Sequence, residues 1–380
     1  MKRNSSGVAV DTGIPYGNAA DVAVARRGGE VVVEFSADPH GGNETLWFCF
    51  RLTGRAAVPV RLVLKHSPNM LGCGRPAFMR PVIRSSRRDW ERLAAPEVTE
   101  LPDGRPIVLW KIRFAPPRMD VAWCYPYGLP EIEALLRDTN GYWRLDTVGV
   151  SGRGRPLLRL SNGDGIRGDA RPGLFLMARQ HSGETPGGWM LDGFLRALAE
   201  LKSAAPLVWA VPLANRDGVE EGDYGKDPYP YDLNRAWGEP PMRYEVLAYQ
   251  RLFRRWMERC RPVLAMDFHA PGGTETDGVY CFLPDPKSHP EPHAAIRRWA
   301  EVAKKAVGGD YAADNFCRVA DYPSRFGSGW FKAFCWERGK VPALSLETSY
   351  ALVRDTVLTR ERYREMGARL AAGVTGAIFR

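Results

Sequence analysis

The chain has 380 residues, 44% apolar and 26% charged, the balance of a globular protein with two domains or one large one, whose core needs neither metal nor disulfides to hold it. Its formal charge is +9, but the basic residues are scattered in doublets such as Arg26-Arg27, Arg87-Arg88 and Arg254-Arg255, with no basic tail and no Cys2His2 spacing, so nucleic acid is not expected as a partner. No run approaches the ~18 apolar residues of a membrane span. The basic start lacks the apolar stretch of a secretion signal, and seven dispersed cysteines without a CxxC pair read as reduced thiols, so a cytoplasmic protein is expected.

Residues 1–28 are rich in Gly, Ala and Asn with weak periodicity, and the first dozen read as disordered. Strand-like runs follow at Val31–Phe35, Leu46–Leu52, Val58–Leu64 and Pro106–Ile112. Short β-branched and aromatic stretches broken by Gly, Pro and Asn predict an antiparallel β-sandwich over residues 1–125. The first helix is expected at Leu129–Leu136, where Pro130 suits a first turn. From there the texture changes. A hairpin is expected over Trp143–Leu160, then strands Gly173–Ala178, Leu207–Pro212, Val263–Phe268 and Ala343–Glu347. Helical periodicity covers Gly188–Leu201, Arg243–Cys260, 293–307, 328–338 and a last segment from about Thr359. Strands alternating with helices predict, for residues 126–380, an α/β fold with a mixed, mostly parallel sheet covered on both faces.

Polar residues interrupt this pattern at strand ends. His181 and Glu184 follow the strand that stops at Ala178, His269 follows Phe268, and Glu347 closes the strand from Ala343. In open α/β sheets, ligands bind beyond the carboxyl ends of the strands. Two imidazoles and a carboxylate are the donor set of a three-ligand zinc site with a position left for water. Such an ion lowers the pKa of bound water to about 7, and a further carboxylate, here Glu347, can take that proton. Asp232-Leu233-Asn234-Arg235 lies in a Tyr- and Pro-rich loop, where the Arg fork suits a carboxylate; an ordinary Asp–Arg staple of the loop is the plainer alternative.

The segments RQHSGETPGGWMLDGFL (179–195), ANRDGV (214–219), YDLNRAW (231–237), AMDFHAPGG (265–273) and LSLETSY (344–350) together resemble the zinc metallocarboxypeptidases of the M14 family. LWFCFRLTG (46–54), MRPVIRSS (79–86) and WCYPYGLPEIEALL (123–136) resemble the front domain of its cytosolic branch. The resemblance implies a fold with an N-terminal β-sandwich before a carboxypeptidase-like domain. It implies a single Zn2+ held by His181, Glu184 and His269, Glu347 as general base, and Asn234 with Arg235 as the grip on a substrate's C-terminal carboxylate. It also implies a peptide or protein tail as substrate, and leaves oligomeric state open.

Three positions depart from the family's pattern. Gly225 stands where the cytosolic branch has the Arg that stabilises the oxyanion, so Lys226 becomes the candidate; Asn215-Arg216-Asp217-Gly218 replaces the family's NPDG, which makes Arg216 a further candidate, read first as a structural residue. A catalytic Tyr of the digestive members has Tyr322 as its nearest counterpart. The family position lining the side-chain pocket falls on Lys332, which would favour an acidic, glutamate-like terminal residue; a solvent-facing helix position is the alternative reading. A zinc deacylase of N-acyl amino acids, of the aspartoacylase and succinylglutamate desuccinylase type, and a non-catalytic tail-binding module are the competing expectations.

Overall fold

In a computed structural model, residues 7–42, 44–226, 231–320 and 329–380 are described. Two five-stranded sheets face each other at the front, among the described residues. One has the order β1 (Val8–Asp11), β4 (Cys49–Gly54), β10 (Arg118–Ala122), β6 (Val82–Ser85) and β7 (Glu91–Arg92). The other runs β2 (Ala20–Arg27), β3 (Glu30–Ser36), β5 (Val58–Leu64), β9 (Pro106–Phe114) and β8 (Glu97–Glu100). Strand β9 shows why they close on one another: Val108, Trp110, Ile112 and Phe114 are buried while Lys111 and Arg113 are exposed, the period of two that dries one face. Phe35 from one sheet packs edge-on against Phe50 of the other at 4.8 Å between ring centres.

Three expectations need correction here. The first dozen residues include β1, which pairs with β4 from Val8↔Gly54 to Asp11↔Arg51; its two valines gain an apolar strand to lie on, which local composition does not reveal. The 46–52 strand starts only at Cys49, and the preceding Trp47 donates its indole N–H to the Tyr16 carbonyl at 2.9 Å. The sandwich is also not wholly antiparallel. β3 and β5 pair in parallel, because the chain crosses to the opposite sheet as β4 and returns in its original direction.

The first α-helix, α1 (Leu129–Asp138), has Pro130 in its first turn, and Glu131 accepts from the Gly128 N–H at 2.8 Å. An eight-stranded sheet follows, in the order β11 (Arg144–Val150), β12 (Pro156–Ser161), β14 (Leu207–Val211), β13 (Pro172–Ala178), β15 (Arg261–His269), β18 (Ala343–Glu347), β16 (Val279–Leu283) and β17 (Ala312–Val319). β14, β13, β15 and β18 run parallel, and antiparallel pairs occur on either side. The expected hairpin is β11–β12, with a bulge at Val148.

Both faces of this sheet are covered. Leu174, Leu176 and Ala178 of β13 point into one apolar cluster, and Phe175 and Met177 into another. The helices α2 (Thr185–Glu200), α5 (Pro290–Val307) and α7 (Arg360–Ile378) contribute to the first cluster; α4 (Tyr244–Met257) and α6 (Phe331–Gly339) contribute to the second. The short helix α3 (Arg216–Glu221) follows β14. α2 and α7 touch backbone to backbone: a Cβ on Gly193 would lie 2.1 Å from the Arg364 carbonyl oxygen, and one on Gly367 would lie 2.0 Å from that of Met190.

The first cluster also contains Val33 and Phe50 of the front sheets and Trp123 directly after β10, so one apolar core runs from sandwich to central sheet. Arg92 bridges the two by donating to the Leu358 and Tyr350 carbonyls at 2.8 and 3.0 Å. No helix among the described residues is long and apolar enough to cross a membrane.

Candidate active site

The site forms where β13, β15 and β18 end. After Ala178 the chain turns sharply at Arg179, a non-glycine residue with φ 61. That left-handed backbone carries strain, and the buried guanidinium holds it, donating to the Ser182 carbonyl at 2.8 Å and to the Tyr127 carbonyl at 2.5 Å. The resulting loop presents His181 inward and delivers Glu184 as the residue capping α2. α2 sits tight against β15, since a Cβ on Gly187 would lie 2.3 Å from the Phe268 carbonyl oxygen. His269 is the last residue of β15 and lies opposite Glu347, the last of β18, in the parallel ladder. Directly registered residues point to the same face of a sheet, so the ladder itself sets imidazole beside carboxylate.

Three donors converge. His181 Nδ1 is 2.9 Å from Glu184 Oε1, and His269 Nδ1 is 2.7 Å from Glu184 Oε2. All three residues are buried, and one donor atom from each lies within 4.8 Å of the others, a group that could hold a metal ion. Bonds of ~2.0–2.1 Å at tetrahedral angles separate neighbouring donors by about 3.3 Å, so the three need only small side-chain adjustments to share one ion. The far nitrogens are engaged too: His181 Nε2 lies 3.1 Å from Asp232 Oδ1 and His269 Nε2 lies 2.5 Å from Asp267 Oδ2, the carboxylate–imidazole arrangement that aims a metal-binding ring. Burial alone would raise the Glu184 pKa, but His181, Lys226 and His269 overcome it and hold this carboxyl well below its ordinary range.

Glu347 differs. Its Oε2 is buried without a hydrogen-bond partner among the described residues. Burial pushes its pKa up and Glu184 adds to the rise, against His269 and Lys226. A carboxylate lifted in this way, with one oxygen unengaged, is suited to accepting a proton.

Beside it lies a pocket of about 70 Å³ whose lining includes His181, His269, Glu347, Lys226, Asn234, Arg235, Trp330, Lys332 and Ser345. Asn234 and Arg235 therefore stand in the same cavity as the ligand group. Arg235 lies 5.7 Å from the Trp330 ring and donates to the Asn234 carbonyl at 3.2 Å. Asp232 does more than staple the loop, since it accepts from the Asn234 N–H at 2.8 Å while contacting His181. Lys332, in the first turn of α6, lines the pocket and donates to the Phe282 carbonyl at 3.2 Å. Burial pushes its pKa down to about 8, with Cys281 opposing and Arg235 reinforcing the shift.

Lys226 reaches Glu184 Oε1 at 2.9 Å, whereas Arg216 pairs with Glu220 on its own helix and stays out of this pocket. Gly225 has φ +90, and a Cβ there would lie 2.6 Å from both the Ser182 nitrogen and its hydroxyl, so this position excludes a larger side chain. Tyr322 lies outside the described residues. Sequence reasoning missed Asp267, Gln180, Trp330 and Ser345. For Asp267 the signal was present, because Asp267-Phe268-His269 places two polar side chains on one face of a strand.

No family model matches the chain. It is 30% identical over 182 residues to cytosolic carboxypeptidase 6 of Mus musculus, across 43% of this chain and 34% of that protein. It is 23% identical over 384 residues to cytosolic carboxypeptidase 2 of Xenopus tropicalis, across 89% of this chain and 38% of the other. The chain thus spans about a third of the length of these curated relatives. Among solved structures, a metallo-carboxypeptidase from Burkholderia cenocepacia aligns over 98% of this chain and all of its own, with a TM-score of 0.76 at 18% identity. A metallo-carboxypeptidase from Pseudomonas aeruginosa, in complex with (2-guanidinoethylmercapto)succinic acid, aligns over 98% of this chain and 99% of its own, with a TM-score of 0.73 at 17% identity. In sequence the chain resembles the cytosolic carboxypeptidases, and in fold it resembles the metallocarboxypeptidases of the M14 family.

Proposed function

We propose that the chain is a zinc-dependent carboxypeptidase that removes the C-terminal residue of a peptide or protein tail. The observation that carries the reading is the convergence of His181, Glu184 and His269 beside Glu347, in one pocket with Arg235. When bound there, zinc would polarise the scissile carbonyl and acidify a water. Glu347 takes the proton of the attacking water on its unengaged Oε2 and returns it to the leaving amine. Asn234 and Arg235 hold the terminal carboxylate, whose charge needs paired donors once it leaves water. Lys226 offers the cation for the developing oxyanion as a single point charge rather than a planar fork. Lys332, at the pocket wall, selects an acidic terminal side chain. The front sheets, as a unit of residues 1–125 before a catalytic unit of 126–380, flank the site and restrict it to unstructured tails. Relatives named as cytosolic support a cytoplasmic location.

The test is metal content of the purified chain combined with amino-acid release from peptides varied at the C-terminal residue. One zinc per chain and release of single terminal residues are expected, both lost in His269→Ala. Turnover of N-acyl amino acids without any peptide cleavage would transfer the reading to a deacylase, and zinc-free protein that binds tails uncut would make it a binding module.

A further inference from the structure

Behind the ligand group lies a chain of buried side chains that the proposed chemistry leaves unused. His269 turns Nδ1 toward Glu184 and Nε2 back toward Asp267, whose Oδ2 is 2.5 Å away. The same Oδ2 accepts from the Gln180 amide nitrogen at 2.5 Å, and the Gln180 carbonyl oxygen accepts from the Trp237 indole at 2.7 Å. Gln180 is completely enclosed, and Asp267 and Trp237 are each only 2% exposed. These four residues come from three separate stretches, namely the loop after β13, the end of β15 and the segment after Arg235.

The direction of the chain is fixed by chemistry. An indole N–H can only donate and an ionised carboxylate can only accept. The Gln180 amide between them therefore has one orientation, oxygen to Trp237 and nitrogen to Asp267. Asp267 then keeps an accepting oxygen for His269, which places the imidazole proton on Nε2 and leaves the Nδ1 lone pair facing Glu184. Asn234 Nδ2 also lies 3.2 Å from Nε2, but an amide nitrogen is a donor like the protonated Nε2 and does not compete for Asp267. Without the indole donor the buried amide oxygen loses its partner, and Gln180 is then held by Asp267 alone, which loosens its grip on the carboxylate.

We infer that Gln180 and Trp237 are positioning residues which, acting through Asp267, hold His269 in the tautomer and orientation that binds the metal. The inference rests on the proposed role of His269 as a ligand. Partners of this kind change metal affinity by 10–100-fold when removed.

The experiment uses the full chain, loaded with one equivalent of zinc, as wild type, Gln180→Met and Trp237→Phe. Gln180→Met keeps volume and removes the amide; Trp237→Phe removes the donor and retains an aromatic ring against Phe331. Zinc affinity is measured by competition with a chelator, the visible absorption of the Co2+-substituted protein reports ligand geometry, and thermal unfolding of the metal-free chain reports stability. Zinc affinity is expected to fall about 10–100-fold in Gln180→Met and several-fold in Trp237→Phe, with an altered cobalt spectrum in both. A merely structural role would lower the metal-free unfolding midpoint and leave affinity and spectrum at wild type, which overturns the inference while the zinc site stands. Wild-type protein that binds zinc no better than His269→Ala overturns both. If Gln180→Met does not fold, Trp237→Phe decides by the same readouts.

Discussion

Replacing Lys332 by Met keeps most of the apolar stem of the side chain while deleting the ammonium, which lies 5.3 Å from the Trp330 ring. A charge-assisted hydrogen bond in such a half-buried wall is worth about 1.5–3 kcal/mol, and about 1.4 kcal/mol is tenfold in rate or affinity. The variant is therefore expected to lose roughly ten- to hundredfold in kcat/KM on peptides ending in Glu and to stay near wild type on those ending in Leu. The pH profile supplies a second arm. Burial lowers Lys332 to about 8, and kcat/KM reports the free enzyme. Wild-type kcat/KM on a Glu terminus should hold below pH 8 and fall above it, a limb absent with a Leu terminus and in Lys332→Met. Stability follows the opposite sign. The folded state gives up this proton near pH 8, while the unfolded state keeps it to about 10.4, so the folded protein carries a penalty at neutral pH that is relieved as pH rises between those values. Lys332→Met should accordingly raise the unfolding midpoint at pH 7. Steady-state kinetics on matched peptides and a thermal melt suffice; equal losses on Glu and Leu would refute the assignment.

The other predictions are more compact. Glu347→Gln should cut kcat by about 10²–10⁴ with zinc content unchanged, and a variant that keeps near-normal turnover would remove Glu347 as the base. Gly225→Ala must place a Cβ against Ser182 at a left-handed φ, so it should destabilise by roughly 1–3 kcal/mol, seen as a lower midpoint in a melt. Removal of residues 1–125 strips the apolar core shared with the central sheet and the Arg92 bridge. The remainder should be insoluble or lack a cooperative unfolding transition, and a soluble fragment with unchanged substrate preference would show that the front sheets neither complete the core nor restrict the cleft.

Where the sequence was legible, a physical pattern was local. Ala343–Glu347 is a buried run closed by a carboxylate, and it forms a strand over those same residues. The polar interruptions after Ala178 and Phe268 were readable because a charged or imidazole side chain at the buried end of an apolar strand costs free energy unless a partner or ligand meets it. What escaped depended on partners distant in the chain. β1 exists because β4 offers it a ladder, and the parallel β3–β5 pair depends on β4 lying in the other sheet. β17 carries Asp314 and Asn315, exposed residues that hide an edge strand. In the site, the tie between Gln180 and Trp237 spans 57 positions, and nothing near either residue announces the other. The glycine at 225 was visible in the sequence, but what demands it, contact with Ser182, is tertiary.

The register of His269 against Glu347 has a mechanical consequence. Because the two residues sit on neighbouring strands, the placement of imidazole beside carboxylate rests on the ~4.8 Å spacing of those strands. Any event that frays the hydrogen bonds between β15 and β18 would silence the centre at once, even with every helix intact. Loss of turnover under denaturant should therefore coincide with deuterium uptake at the amides of those two strands rather than with loss of helical ellipticity.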